Sequence, residues 1–165
     1  MCEKWVADIT YIPTKKNGWY YLSSIIDLYT KKIISYTFPK RMTVDCVLQT
    51  FNQAKQRYHI PEGMILYTDV GSQYTAIEVE NWLENNKIRR SYSRKGTPYD
   101  NARIEAFHAS LKKEKVYATT YSDLEEANRS LFSYIEGFYN RNRIHSSIYY
   151  LTPQEFEDLE TEKMA

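Results

Sequence analysis

Three short β-type segments within the first 38 residues constrain the fold more than any other feature of this sequence. Trp5–Ile12 alternates apolar and polar positions and is followed by Pro13, so we predict a strand that ends there. Short turns separate it from two further predicted strands, Trp19–Leu28 and Ile33–Phe38. Connections this short join neighbouring strands, which predicts an antiparallel meander at the start of the chain.

Beyond residue 40 the apolar residues take the spacing of helices, with short apolar strands between them. The predicted elements are a helix at Thr43–Tyr58 with Thr43 as its N-cap, a strand at Met64–Thr68, a helix at Ala76–Asn86 with Ile77, Val79, Trp82 and Leu83 inward, a strand at Ile88–Tyr92, a loop at Ser93–Asp100, helices at Asn101–Val116 and Asp123–Asn140, and a short helix after Pro153. This order resembles the ribonuclease-H-like fold, an α/β architecture with a five-stranded mixed sheet flanked by helices on both faces. We expect a single domain over residues 1–165, in which residues 118–165 form a C-terminal helical extension.

Composition excludes several classes of protein. A chain of 165 residues with 42% hydrophobic and 26% charged residues is typical of one globular domain. Apolar runs are too short for a membrane span, and the first residues do not resemble a secretory signal. Two cysteines, Cys2 and Cys46, cannot make a disulfide framework. We therefore expect a cytoplasmic protein with free thiols and no membrane partner.

Charge is unevenly distributed although the net charge is only +1. Between Lys87 and Lys115 nine Lys and Arg residues stand against three acidic ones, a net of +6. Such a stretch is typical of a phosphate-binding face, although a solvated helix face would have the same composition.

Three acidic residues occupy positions that are unusual for acids. Asp8 interrupts a segment whose composition suits a central strand, and a buried carboxylate there is costly unless it is paired or binds a metal. Asp69 follows the strand Met64–Thr68, at the kind of strand end where α/β sheets bind ligands. Glu105 lies one turn inside a predicted helix. Taken singly, Asp8 could face solvent, Asp69 could cap a turn and Glu105 could be a surface residue.

A cluster of the three would repel itself at neutral pH unless cations bound it. Carboxylate ligands without His or Cys select Mg²⁺ or Mn²⁺ rather than zinc. The residues alone therefore point to a hard divalent metal site.

The segments around these acids resemble the catalytic motifs of insertion-sequence-three family transposases, whose second open reading frame encodes a core like that of retroviral integrases. The similar segments are Trp5–Ile12, Tyr67–Tyr74, Ser93–Glu105, Tyr139–Ser147 and Leu151–Pro153, so the likeness covers almost the whole chain. Thirty-five residues separate Asp69 from Glu105, as in that family.

The resemblance implies a DDE-type transposase that cleaves DNA at insertion-sequence ends and joins the 3′-OH to a target. It implies Asp8, Asp69 and Glu105 as catalytic and metal-binding residues, with two Mg²⁺ or Mn²⁺ ions and Asp8 shared between them. The partners it implies are end and target DNA and further copies of the chain, as a dimer or a larger homo-oligomer.

Four residues are candidates for DNA contacts. Lys112 follows Glu105 by two helical turns on the same face, and could hold a phosphate or be a surface lysine. Arg94 and Lys95 are expected to contact backbone phosphates. Asn101 could contact DNA, although helix capping is the simpler interpretation.

Three other polar residues are interpreted as structural. Asp27 is predicted to accept hydrogen bonds in a turn, Asp100 to cap a helix, and His108 to be packed or to face DNA rather than act as a base.

Two departures from the family pattern accompany the resemblance. Val70 stands where the family usually has Arg, and the family's N-terminal helix-turn-helix region is absent from the expected organisation. Two rival functions remain, a ribonuclease-H-like nuclease and an inactive DNA-binding remnant of a transposase.

Overall fold

The structure of the chain is a computed structural model that describes residues 3–16, 18–92 and 101–164. Five strands form one sheet: β1 (Lys4–Thr14), β2 (Gly18–Asp27), β3 (Ile33–Thr37), β4 (Ile65–Thr68) and β5 (Arg89–Tyr92). The helices are α1 (Val44–Arg57), α2 (Ile77–Asn85), α3 (Ala102–Leu111), α4 (Leu124–Phe132) and α5 (Pro153–Met164). Two π-helical segments, Lys112–Val116 and Ser133–Tyr139, continue α3 and α4, and a 3₁₀ turn covers Ser146–Ile148.

The sheet is mixed and has the order β3-β2-β1-β4-β5. The predicted meander is confirmed, since β1 pairs antiparallel with β2 and β2 with β3. β4 and β5 add on the other side in parallel. The strand that carries Asp8 is therefore the central one, as expected.

Helices cover both faces of the sheet, which confirms the expected α/β layers. On one face, Trp5 and Ala7 of β1 pack with buried residues of α1 and α2. On the other, Val6 and Ile12 of β1 pack with α3, α4 and the π-helical segment after α4. Alternate residues of β1 thus feed two separate apolar cores, because successive side chains of a strand point to opposite faces.

Two details of the expected secondary structure are wrong. β1 continues through Pro13 to Thr14. β4 pairs with β1 only along Lys4–Val6, so among the described strands the rest of β1 has a neighbour on one side only, and proline is tolerated at such an edge. Ile77, predicted inward, is 66% exposed. Val79 and Leu83 define the buried stripe of α2, and Ile77 lies two residues away from Val79, on the opposite side of a 3.6-residue turn.

Helix ends follow local chemistry in part. Thr43 caps α1 as predicted, because its side chain accepts a hydrogen bond from Cys46 N. Cys46 is a free, buried thiol, and burial raises its pKa.

The predicted loop at 93–100, including Arg94, Lys95 and the supposed cap Asp100, lies outside the described residues, as does Cys2.

Asn140 ties the C-terminal part of the chain to the edge of the sheet. This buried side chain accepts a hydrogen bond from Ile33 N and donates one to Ile33 O, each 3.0 Å long. Its own carbonyl accepts from Gln154 N at the start of α5. The amide side chain therefore takes the place of a neighbouring strand beside β3.

No helix in the described part of the chain is long and apolar enough to span a membrane.

Candidate active site

Asp8 lies on β1 just past the point where β4 stops pairing with it. Its register partner on β2 is Ser24, and its side chain is 21% exposed. One carboxylate oxygen accepts a hydrogen bond from Ile9 N at 2.8 Å. The carboxylate is therefore neither fully buried nor free in solvent, but lies at the opening between β1 and the neighbouring elements.

Asp69 follows the last residue of β4, the parallel neighbour of β1, and is exposed. Its Oδ1 accepts a hydrogen bond from Gly71 N at 2.9 Å, which closes a tight turn. A Cβ atom added at Gly71 would stand 2.9 Å from that same oxygen. A side chain at this position would therefore require the Asp69 carboxylate to move.

Glu105 lies in the first turn of α3 and is exposed. Its backbone N–H donates to Asn101 O at 3.0 Å, so Asn101 occupies the N-cap position. The backbone of Asn101 is helical, however, and its side chain makes no capping hydrogen bond. The prediction that the Asn101 side chain caps α3 is wrong.

Asp8 is shared by two hollows on the surface. One, of about 440 Å³, also contains Asp69, Gly71 and Tyr74. The other, of about 400 Å³, also contains Glu105, His108 and Lys112. Of the three acids that sequence reasoning selected, Asp8 thus lines one hollow with Asp69 and another hollow with Glu105.

The charges of these acids affect the pKa values of two neighbouring groups. Burial raises the pKa of the Tyr74 phenol well above its ordinary value, and the charges of Asp8 and Asp69 raise it further. Burial lowers the pKa of Lys112, while Asp8 opposes that shift. Lys112 is thus close enough to Asp8 to sense its charge.

Lys112 reaches an exposed aromatic pair beside the acids. Its Nζ lies 4.2 Å from the ring centroid of Tyr11, a cation–π geometry. Tyr11 in turn meets Trp19 edge to face, with centroids 5.1 Å apart. The lysine lines the hollow of Asp8 and Glu105, as its spacing from Glu105 predicted.

His108 is a residue of the site whose role sequence reasoning missed. It is packed, as predicted, but its Nδ1 lies 3.4 Å from Asp8 Oδ2 and its Nε2 lies 2.9 Å from Ser24 Oγ. The imidazole therefore links the β2 hydroxyl to the Asp8 carboxylate. Its position three residues after Glu105 was the only available sign, because the pairing of Asp8 with Ser24 is visible only in the sheet register.

Asp27 is confirmed as a turn acceptor. Its side chain is buried, and its Oδ1 accepts hydrogen bonds from Tyr29 N at 2.8 Å and Thr30 N at 2.9 Å. It pairs in register with Trp5, three positions along β1 from Asp8.

The donor atoms around Asp8 suit a hard divalent cation. All three acids offer carboxylate oxygens, the ligands that Mg²⁺ and Mn²⁺ prefer. Within residues 3–16, 18–92 and 101–164, no group of three or more His, Cys, Asp or Glu side chains is arranged to hold one ion. Asp8 is common to both hollows, and each hollow contains one further acid.

A central acid on a mixed five-stranded sheet, with a second acid at the tip of the adjacent strand and a third on a following helix, defines an integrase-type core. The chain belongs to the integrase core domain family, which matches residues 2–98, and a second family with the same description matches residues 86–153.

Its sequence is similar to those of bacterial transposases. The transposase for insertion sequence element IS904 of Lactococcus lactis subsp. lactis (strain IL1403) is 40% identical over 153 residues, which are 93% of this chain and 60% of that protein. Transposase InsF for insertion sequence IS3A of Escherichia coli (strain K12) is 37% identical over 156 residues, which are 94% of this chain and 54% of that protein. The chain thus spans little more than half the length of these relatives.

Solved retroviral integrases have the same fold. The catalytic core domain of BIV integrase matches with a TM-score of 0.70 and 20% identity over 100% of both chains. The HTLV-2 integrase catalytic core in complex with magnesium (trimeric form) matches with a TM-score of 0.69 and 17% identity over 94% of this chain and 95% of that one. The expected ribonuclease-H-like fold is confirmed.

Proposed function

We propose that this chain is the catalytic core of a DDE-type transposase, which cleaves DNA at insertion-sequence ends and joins the 3′-OH to a target by phosphoryl transfer. The observation that carries the proposal is the position of Asp8 between two hollows, with Asp69 in one and Glu105 in the other. Membership of the integrase core domain family and 37–40% identity to bacterial transposases support it.

Asp8, Asp69 and Glu105 are proposed as the metal ligands, with Asp8 common to two Mg²⁺ or Mn²⁺ ions. Such ions, when bound, activate the attacking oxygen and stabilise the leaving one. The chain contributes the orientation of its carboxylates. His108 of α3 contacts the Asp8 carboxylate, and the Gly71 amide donates a hydrogen bond to Asp69.

DNA is proposed to approach along the basic stretch that ends at Lys115. Lys112 is the best supported contact, since it lines the hollow that contains Asp8 and Glu105. Arg94, Lys95 and Asn101 are proposed as further contacts to backbone phosphates, which position DNA without reading its sequence.

The assembly and setting of the chain are also proposals. We propose one catalytic domain over residues 1–165, with residues 118–165 as its C-terminal extension, acting as a dimer or larger homo-oligomer in the bacterial cytoplasm. Oligomeric integrase forms among the structural relatives support the association of copies.

A strand-transfer assay with acid variants tests the proposed chemistry. The substrate is a duplex with a pre-cut 3′-OH end, supplied with a target duplex and Mg²⁺ or Mn²⁺. We expect Asp8→Asn, Asp69→Asn and Glu105→Gln each to abolish joining, because these carboxylates act where charge develops in the transition state. The variants should fold and be as stable as the wild type or slightly more stable, because loss of one negative charge relieves repulsion among the acids.

Asp27→Asn is the matched control, since Asp27 serves a turn. It should keep joining activity and lower the melting temperature measured by circular dichroism. Joining that survives Glu105→Gln, or that disappears in Asp27→Asn at an unchanged melting temperature, would contradict the assignment. A cut target duplex without joined products would favour a nuclease instead.

A further inference from the structure

A second cavity lies on a different face of α3 from the acids. It measures about 140 Å³ and is bounded on one side by Arg103, Phe107 and Ser110, which repeat at helical spacing. The turn between β2 and β3 and the segment after α4 complete it. The remaining lining residues are Ile26, Lys31, Ala106, Tyr139, Arg143 and His145.

The lining is strongly basic. Lys31, Arg103 and Arg143 provide three cationic side chains, and His145 adds an imidazole, while no described residue of the lining carries a carboxylate. Glu114 neutralises Arg143 from outside the cavity through two short contacts of 2.6 and 2.7 Å. Lys31 and Arg103 remain as the main sources of positive potential.

Burial and neighbouring positive charges both lower pKa values in this cavity. Burial and then Arg103 lower the pKa of Lys31, with Asp27 opposing. Burial and then Arg143, Lys31 and Arg103 lower the pKa of His145. An anion in the cavity would relieve this repulsion.

His145 presents a polar atom that needs a partner. Its Nε2 is buried and makes no hydrogen bond to any described residue. The ring is held in place by Tyr139, whose ring centroid lies 5.3 Å away, and Tyr139 packs on Phe107. Buried polar groups of folded proteins almost always have a partner, and the residue that carries this unpaired nitrogen also lines the basic cavity.

We propose that this cavity is a binding site for a phosphate group, held by Arg103, Lys31 and Ser110 beside the His145 ring. Phosphate oxygens accept the fork of donors that an arginine presents, and an ammonium group and a hydroxyl are further donors to a tetrahedral oxyanion. The site uses none of the three acids, so it stands or falls separately from the proposed chemistry.

Titration with inorganic phosphate, followed by the NMR signals of the His145 ring at constant ionic strength, tests the site. The chain has three histidines, so the signal is assigned by its absence in His145→Gln. We expect a saturable shift in the wild-type chain. Loss of one charged hydrogen-bond donor in Arg103→Gln should weaken phosphate binding about tenfold.

Two further variants sharpen the comparison. Lys31 has a φ of 64°, which Asn tolerates, so Lys31→Asn removes the charge without straining the turn and should also weaken binding. Arg129→Gln removes the same charge from an exposed position on α4 and should leave binding unchanged.

Phosphate should raise the melting temperature of the wild type more than that of Arg103→Gln. A non-saturable shift, or equal affinity in Arg103→Gln, would overturn the proposal.

The source of the phosphate is distinguished by adding a short duplex DNA. If the duplex displaces inorganic phosphate from the cavity, and Arg103→Gln also weakens binding of the duplex to the chain, the ligand is a backbone phosphate. If phosphate binds and the duplex leaves the His145 signals unchanged, the ligand is a free phosphate-bearing molecule. Both results support the site. Asp69→Asn and Glu105→Gln should keep the phosphate response, which separates this test from the test of catalysis.

Discussion

Gly71 is a single residue whose missing side chain matters for the proposed active site. A Cβ atom there would stand 2.9 Å from Asp69 Oδ1, closer than real contacts allow. We predict that Gly71→Ala displaces the Asp69 carboxylate and lowers joining activity by at least about tenfold, the consequence of mispositioning one metal-binding group. The assay is strand transfer, run beside a thermal melt to show that the fold survives.

Gly137→Ala is the matched control. Gly137 lies in the π-helical segment after α4, and nothing stands within 4 Å of the position that an added methyl group would take, so Ala should leave activity unchanged. Ala also favours helical backbone over Gly and should stabilise the chain slightly. Equal activity of the two alanine variants would show that the close approach at Asp69 is unimportant.

His108 and Ser24 form a second residue-scale unit. Both are buried, and the Ser24 hydroxyl meets His108 Nε2 at 2.9 Å. We predict that His108→Leu lowers the free energy of unfolding by about 1–3 kcal/mol, because the Ser24 hydroxyl is left without its partner. Ser24→Ala in the same background should then cost little more, since residues that share one hydrogen bond are not additive.

Urea unfolding of the four variants in this cycle measures the coupling. Strictly additive losses would mean that the contact between Ser24 and His108 contributes no stability. Joining activity measured on Ser24→Ala, which keeps the imidazole, then shows whether the hydroxyl also orients His108 toward Asp8.

At the scale of elements, β3 depends on a side chain from far along the chain. Asn140 satisfies both backbone groups of Ile33 on the outer side of this edge strand. We predict that Asn140→Leu lowers the free energy of unfolding by about 2–4 kcal/mol, because two buried backbone groups lose their partners together. Denaturant unfolding measures this loss.

Asn142→Leu controls for a change of the same residue type two positions away. Asn142 is exposed, and a surface change of this kind should alter stability by no more than about 0.5 kcal/mol. Similar losses in both variants would show that the edge contact of Asn140 is not special.

The same elements show what sequence can and cannot predict. The strands and the N-cap of α1 follow from local pattern and local chemistry, which act within a few residues. The π-helical continuations of α3 and α4 do not, because the backbone spacing there has no signature in apolar periodicity. The inward prediction for Ile77 is wrong because an apolar residue at the start of a helix need not lie on its buried stripe.

The site likewise contains residues that the sequence predicts and features that it does not. Asp8, Asp69 and Glu105 follow from motifs, and the fold places Asp8 in one hollow with Asp69 and in another with Glu105. The sequence does not predict the role of His108 or the basic cavity beside α3. Both depend on contacts between residues more than 70 positions apart. Long-range register and packing determine such contacts, and no local pattern carries them.

At the scale of the whole molecule, the net charge is near neutral although the stretch between Lys87 and Lys115 is strongly basic. We predict weak, nearly sequence-independent DNA binding whose affinity falls steeply with salt, since phosphate contacts dominate. Lys112→Gln should reduce the slope of log affinity against log salt by about 0.9 if Lys112 neutralises one duplex phosphate. Removal of the charge at Lys95, outside the described residues, should reduce it further.

Lys55→Gln is the control for this measurement. Lys55 is exposed on α1, which packs on the other face of the sheet from α3. Fluorescence anisotropy with one duplex at several salt concentrations gives the slopes. An unchanged slope in Lys112→Gln, or a strong preference for one duplex sequence, would contradict the prediction.

The contact between Asn140 and Ile33 also bears on the order in which the chain is made. Ile33 leaves the ribosome 107 residues before the amide that completes its hydrogen bonds. During that interval the outer edge of β3 is open, and an open strand edge is a template for pairing with other chains. Nascent chains stalled before residue 140 should therefore associate with one another or with chaperones through β3, and release once Asn140 has emerged and docked.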